Sequence, residues 1–158
     1  MKLIFKQRIF SWFDSYDIYD ENGNTIFVVK GQLAWGHRLK IFNSLGEEVG
    51  EVREKIFSFL PKFEVLVAGK SVGFVKRKFA FFKPQYEMTG KNWRVKGDIW
   101  AWNYAVWDGV GQTVATVTKK IWRLTDTYVL DVVNPQDALF VLALVLSIDA
   151  EKCSRGND

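Results

Sequence analysis

The stretch ALFVLALVLSI, residues 138–148, has no polar face and is closed at its two ends by Asp137 and Asp149. Its start reads as a helix start. Asn134 suits the cap, Pro135 the first helical position with its preset φ, and Asp137 a box-like answer to the cap. A helix is therefore predicted over about 135–150, with a polar tail, 153–158, expected to be disordered. As a helix the stretch rises about 16 Å, roughly half of a hydrocarbon core of about 30 Å, so it does not cross a membrane. A helix that is apolar all round must instead be enclosed by protein. Leu139, Phe140, Leu142, Ala143 and Leu146 are the side chains expected to plug whatever surrounds it.

The preceding residues supply the enclosure. Turn signals recur as DENGN at 20–24, NSLGEE at 43–48, AGK at 68–70, TGKN at 89–92 and DGVGQ at 108–112, each between short runs rich in Val, Ile, Phe, Tyr and Trp. The flanking runs alternate with period two, as in KFEVLVAG followed by KSVGFVKRKF. RLKIFNSLGEEVGEVREKIF, KFEVLVAGKSVGFVKRKF and NYAVWDGVGQTVATVTKKIW repeat one hairpin pattern. The expectation is an all-β fold of about twelve antiparallel strands followed by one helix. Eight strands close on a space that side chains fill, whereas about twelve leave a lumen that needs a plug. Ala138 to Ile148 is that plug, and closure also removes exposed sheet edges.

Three prolines (Pro61, Pro84, Pro135) fall between these elements and no Pro- or Gly/Ser-rich linker divides the 158 residues, so residues 1–152 are read as one domain. Lys6 and Arg8 interrupt the N-terminal apolar residues before a signal-peptide run forms, and that segment reads as strand. The lone Cys153 has no intrachain disulfide partner, which suits a reducing cytoplasm. The net charge of +4 is unevenly distributed: residues 53–96 carry +8, and the remainder carries −4 with its acids concentrated near the start.

The segments KQRIFSWFDSYDIYDENGNTIFVVKGQ, RLKIFNSLGEEVGEVREK and TDTYVLDVVNPQDALFVLALVLSIDAEK resemble the LURP-one-related family, small single-domain proteins with the tubby C-terminal fold. The last segment is also similar to the end of phospholipid scramblases, with Ile148 and Asp149 as the closing pair. The resemblance implies a closed barrel threaded by a hydrophobic helix. It also points to membranes: tubby domains bind phosphoinositide headgroups through basic residues, and scramblases move lipids with calcium. The scramblase's acidic loop is represented here only by Asp126 and Asp131, so calcium-driven scrambling is not expected.

The leading functional stretch is KSVGFVKRKFAFFKP, residues 70–84. Lys76, Arg77, Lys78 and Lys83 are the expected lipid- or anion-binding residues, interleaved with Phe74, Phe79, Phe81 and Phe82. Basic charge beside aromatic rings suits an anionic membrane surface. Alternation puts Lys76 and Lys78 on one face of a strand and Arg77 on the other. On the competing reading the rings are barrel wall and the charges a solvated exterior. Trp93, Trp100, Trp102 and Trp107 are likewise read as core.

Other chemistries fit less well. GKS at 69–71 lacks the glycine-rich loop and helix of a phosphate-binding P-loop, and DENGN lacks the terminal glutamate of a calcium loop. His37 is the sole histidine and is read as a turn or surface residue, and no serine sits in a GxSxG elbow. Asp14 and Asp17 are three apart on a proposed strand and face opposite ways. No catalytic residue, metal ligand or cofactor is expected. The predicted function is a non-enzymatic binding protein, cytoplasmic and peripheral to the membrane. A protein-interaction scaffold is the alternative; a nucleic-acid binder or an enzyme with an unrecognised pocket ranks below it.

Overall fold

The computed structural model describes residues 1–6, 15–122 and 125–155. Twelve strands follow in chain order: β1 (Lys2–Lys6), β2 (Ser15–Tyr19), β3 (Thr25–Gln32), β4 (Arg38–Asn43), β5 (Glu48–Glu54), β6 (Lys62–Val67), β7 (Lys70–Lys78), β8 (Gln85–Met88), β9 (Trp93–Asp98), β10 (Asn103–Trp107), β11 (Thr113–Trp122) and β12 (Thr125–Val132). Each pairs antiparallel with its neighbour in sequence, and β1 pairs with β12 through the register Lys2↔Asp131 to Lys6↔Thr127. The sheet is a closed up-and-down barrel. A short 3-10 turn (Pro135–Asp137) then leads into α1 (Ala138–Arg155), which runs through the lumen.

One local device makes three of the hairpins. Asp20, Asn43 and Asp108 each accept hydrogen bonds from the amides two and four residues on, namely Asn22 and Asn24, Leu45 and Glu47, Val110 and Gln112. A glycine with φ of 80–86° follows in each turn, and the strand register then slips by one residue. This is the three-residue hairpin with a left-handed glycine, which twists the strands as closure requires. The carboxylate of Asp20 in DENGN is thus committed to the turn, while Glu21 accepts from the Lys2 amide. The repeated sequence pattern is a repeated turn chemistry.

The helix is enclosed as its composition demands. Every residue from Val141 to Glu151 is buried, including the plug residues Leu142, Ala143 and Leu146, and the surrounding wall offers alternate inward residues such as Phe63, Val65, Val75 and Met88. Leu139 and Phe140 are only half-buried, because they sit in the mouth where the helix enters. There Phe140 packs edge-on against Trp93 and lies under the Lys91 ammonium. Asn134 caps as expected, accepting from the Gln136 amide. Asp137 does not answer it; its carboxylate is held 3.0 Å from Lys91 instead.

The helix also runs on past residue 150 to Arg155, so 153–155 belong to it, and residues 156–158 lie outside the described residues. The physical reason is a set of partners at the far mouth. Glu151 receives hydrogen bonds from Arg77 and Tyr86, Lys152 donates to the carbonyls of Ile99 and Trp100, and Ser154 donates to the Ala150 carbonyl. Cys153 is half-buried on this last stretch of helix. Burial, then the hydrogen bond to Glu151, pushes the Tyr86 phenol well above its ordinary range, so Tyr86 keeps its proton and remains a donor.

Candidate functional site

An up-and-down barrel sorts its connections by end. The 20–24, 43–48, 68–70, 89–92 and 108–112 turns share the end where the helix enters. The loops 33–37, 55–61, 79–84 and 99–102 share the end where it exits. Hydrogen bonds tie the exit loops to one another and to the helix: Glu54 to His37, the Arg77 amide to the Pro61 carbonyl, Lys152 to Ile99 and Trp100. His37 is thereby a structural loop residue, its Nδ1 2.8 Å from Glu54. Hydrogen bonding from His37 holds the Glu54 carboxyl below the usual range.

A cleft of about 320 Å³ opens on the outer wall toward this exit end, where β7, β8, β9 and the 79–84 loop meet. Lys78, Lys83, Arg94 and Lys96 line it together with Gln85, and no carboxylate does. The strand register explains the convergence. Lys78 faces Gln85 across β7 and β8, and Tyr86 faces Val95 across β8 and β9, so Gln85, Arg94 and Lys96 point outward on the face that Lys78 shares. Lys83 joins from the loop. The Lys78 ammonium is 3.0 Å from Glu87, which lies outside the cleft lining. Such a pocket concentrates positive potential and suits a polyanionic group.

The structure distributes the four sequence-derived candidates unequally. Lys78 and Lys83 come together in the cleft. Lys76 lies on the same outer face, with its ammonium 5.9 Å from the Phe74 ring centre. Arg77 turns inward and makes a 2.8 Å ion pair with Glu151, which is 4% exposed, so it belongs to the helix-holding cluster and not to the outer surface. Arg94 and Lys96 were not singled out from sequence. Their signal was the period-two alternation of WRVKGD, which puts both on one face, but their meeting with Lys83 depends on the fold.

Of the aromatics around them only Phe74 belongs to the wall. Phe74 is half-buried on the outer face, under the Lys62 ammonium at 4.2 Å. Phe79, Phe81 and Phe82 stand in the 79–84 loop, Phe82 being 99% exposed. Trp93 and Trp102 are core as expected, whereas Trp107 is half-buried and Trp100 is half-exposed at the exit mouth. Arg8 and Asp14 lie outside the described residues, as does the side chain of Asp126. Among the described residues no group of His, Cys, Asp and Glu is arranged to hold a metal ion. No helix among them is long and apolar enough to cross a membrane.

Comparison with known proteins places this geometry in context. The profile described as LURP-one-related matches residues 1–149. The uncharacterized protein YxjI of Bacillus subtilis is 31% identical over 150 residues, covering 94% of this chain and 92% of that protein. An Arabidopsis thaliana protein known by X-ray structure superposes with a TM-score of 0.62 at 20% identity, over 94% of this chain and 91% of that one. That likeness concerns the fold.

Proposed function

The chain belongs to the LURP-one-related family, and from that premise we propose that it is a non-enzymatic binding protein that recognises phosphate-bearing anionic headgroups in the Lys78–Lys83–Arg94–Lys96 cleft. The observation that carries this reading is the convergence of four basic side chains in one cleft with no carboxylate in its lining. Arg94 contributes a planar fork matched to phosphate oxygens, and the lysines contribute mobile point charges. Each cationic group near an anionic surface adds about 1 kcal/mol, which favours the cytoplasmic leaflet where such lipids are concentrated.

Vesicle co-sedimentation tests it, with phosphatidylcholine alone and with added phosphatidylserine or phosphoinositide, at two salt concentrations. Binding should require the anionic lipid and weaken with salt. The Lys83→Gln/Arg94→Gln/Lys96→Gln variant should lose about 3 kcal/mol, roughly 100-fold in affinity. Equal binding by the variant, or binding indifferent to lipid charge, rules the cleft out. The second reading, a scaffold for protein partners, draws on the same exposed rings and predicts indifference to lipid.

A further inference from the structure

The exit end of the barrel is apolar at its tips. Among the described residues twelve large hydrophobic side chains are exposed, and nine of them lie in the four exit loops. Trp35, Phe57, Phe59, Phe81, Phe82 and Trp100 lead this set, with Phe57 and Phe59 each 98% exposed. The four loops read LAWGH, KIFSFLP, FAFFKP and IWAW, without one Asp or Glu. The entry turns carry an excess of acid instead: Asp20, Glu21, Glu47, Glu48, Asp108 and Asp137 lie there against Lys70 and Lys91.

None of these side chains belongs to the core, and beyond the edge-on Phe79–Phe81 pair and the Lys152 ammonium near Trp100 the fold makes little use of them. Nine large apolar side chains left exposed at one end of a barrel mark a binding surface. Its occupant follows from shape and charge. The rings project from four separate loops arranged around the rim of a barrel, not along a groove, and Lys83 stands among them with the basic cleft just below. Aromatic tips above a basic collar match a bilayer, where rings enter the interfacial layer and cations meet the headgroup phosphates. The acid-free loops avoid both the cost of burying carboxylates and repulsion by anionic lipid.

We infer that the exit end inserts its four aromatic loops into the surface of an anionic phospholipid bilayer, with the barrel axis steep to the membrane and the acidic entry end facing water. This rests on the cleft reading for its choice of an anionic membrane, yet the insertion itself is a separate event. It converts recognition of a phosphate group into recognition of a phosphate group held at a membrane.

The test uses the full chain with vesicles of phosphatidylserine and phosphatidylcholine, the latter brominated on its acyl chains, and a Phe57→Ser/Phe59→Ser/Phe81→Ser/Phe82→Ser variant. These positions are solvent-exposed, and an unchanged melting curve verifies that the variant folds. Wild type should show tryptophan quenching by bromine, diminished in Trp35→Phe and Trp100→Phe. The four-ring variant should bind vesicles about 10,000-fold more weakly, a loss of measurable sedimentation, since each of the four buried rings is worth about tenfold or more. Its binding of inositol hexakisphosphate in solution should be unchanged. A four-ring variant that binds vesicles like wild type, or vesicle binding without bromine quenching, overturns the insertion. Absence of any vesicle binding overturns it too, and directs the rings to a protein partner. Bromine quenching that survives in the Lys83→Gln/Arg94→Gln/Lys96→Gln variant supports insertion while removing the cleft reading.

Discussion

Replacing Leu142 by Asp is the sharpest test of the enclosed helix. Leu142 is 0% exposed and lies in a continuous buried run from Val141 to Glu151. Losing the leucine side chain removes about 2 kcal/mol of burial. An aspartate there has no cation beside it in the helix and must take up a proton to remain buried. At pH 7, protonating a carboxyl with an ordinary value of about 3.9 costs about 4 kcal/mol. Leaving the resulting carboxyl without hydrogen bonds adds about 1–3 kcal/mol. The loss is about 7–9 kcal/mol, against a total of about 5–15 for a domain, so the variant should be largely unfolded at neutral pH.

The protonation part of that loss carries a sign. A carboxyl raised in the folded state binds a proton that the unfolded chain releases, so stability falls as pH rises above the unfolded value. Between pH 7 and pH 5 the variant should recover about 2.7 kcal/mol relative to wild type. Urea unfolding followed by tryptophan fluorescence at both pH values measures this directly. A Leu142→Asp protein that unfolds cooperatively at pH 7 within about 2 kcal/mol of wild type, or whose deficit does not shrink at pH 5, would refute the enclosure argument.

Further substitutions probe the wall and its turns. Arg77→Met leaves the buried Glu151 without its guanidinium and should cost about 2 kcal/mol in chemical denaturation, less than a fully buried pair because Arg77 keeps some solvent; adding Glu151→Leu together with Tyr86→Phe, which removes the hydroxyl that Glu151 accepts from, should restore most of it. If Arg77 instead served the outer surface, Arg77→Met would change lipid binding and leave stability alone. Gly73→Ala should cost more than about 3 kcal/mol, because Gly73 has φ +146° and a Cβ there would sit 2.0 Å from the Thr89 carbonyl oxygen. Gly46→Ala, at φ +80° in open space, should cost only about 1 kcal/mol, and equal melting temperatures for the two variants would contradict the packing at β7.

Much of the architecture was legible because it is written locally. Asp20, Asn43 and Asp108 carry their turn geometry in the side chain itself, and a glycine follows each at the left-handed position. Period-two runs between such turns specify strands, and an apolar helix too short for a bilayer specifies that something must surround it. The Ile99–Trp102 connection carries no such local signal. It has no glycine or proline to announce a hairpin, and Trp102 makes the turn by adopting φ 54° while its ring is buried in the core.

The functional surface was far less legible, because residue type does not say which neighbours the wall will supply. Arg77 sits between two outward lysines and was grouped with them from the sequence. Only closure of the barrel shows that its side of β7 faces Glu151 on the helix. Lys83 and Arg94 are eleven positions apart, and they share a cleft because β8 and β9 fold back beside β7. Trp35, Phe57, Phe82 and Trp100 each look like isolated loop aromatics. An antiparallel meander returns every second connection to the same end, so these four loops become one rim. Hydrogen-bond periodicity and turn chemistry act over a few residues and can be read along the chain. Surface charge and exposed apolar area add across strands, and that addition exists only once the sheet has closed.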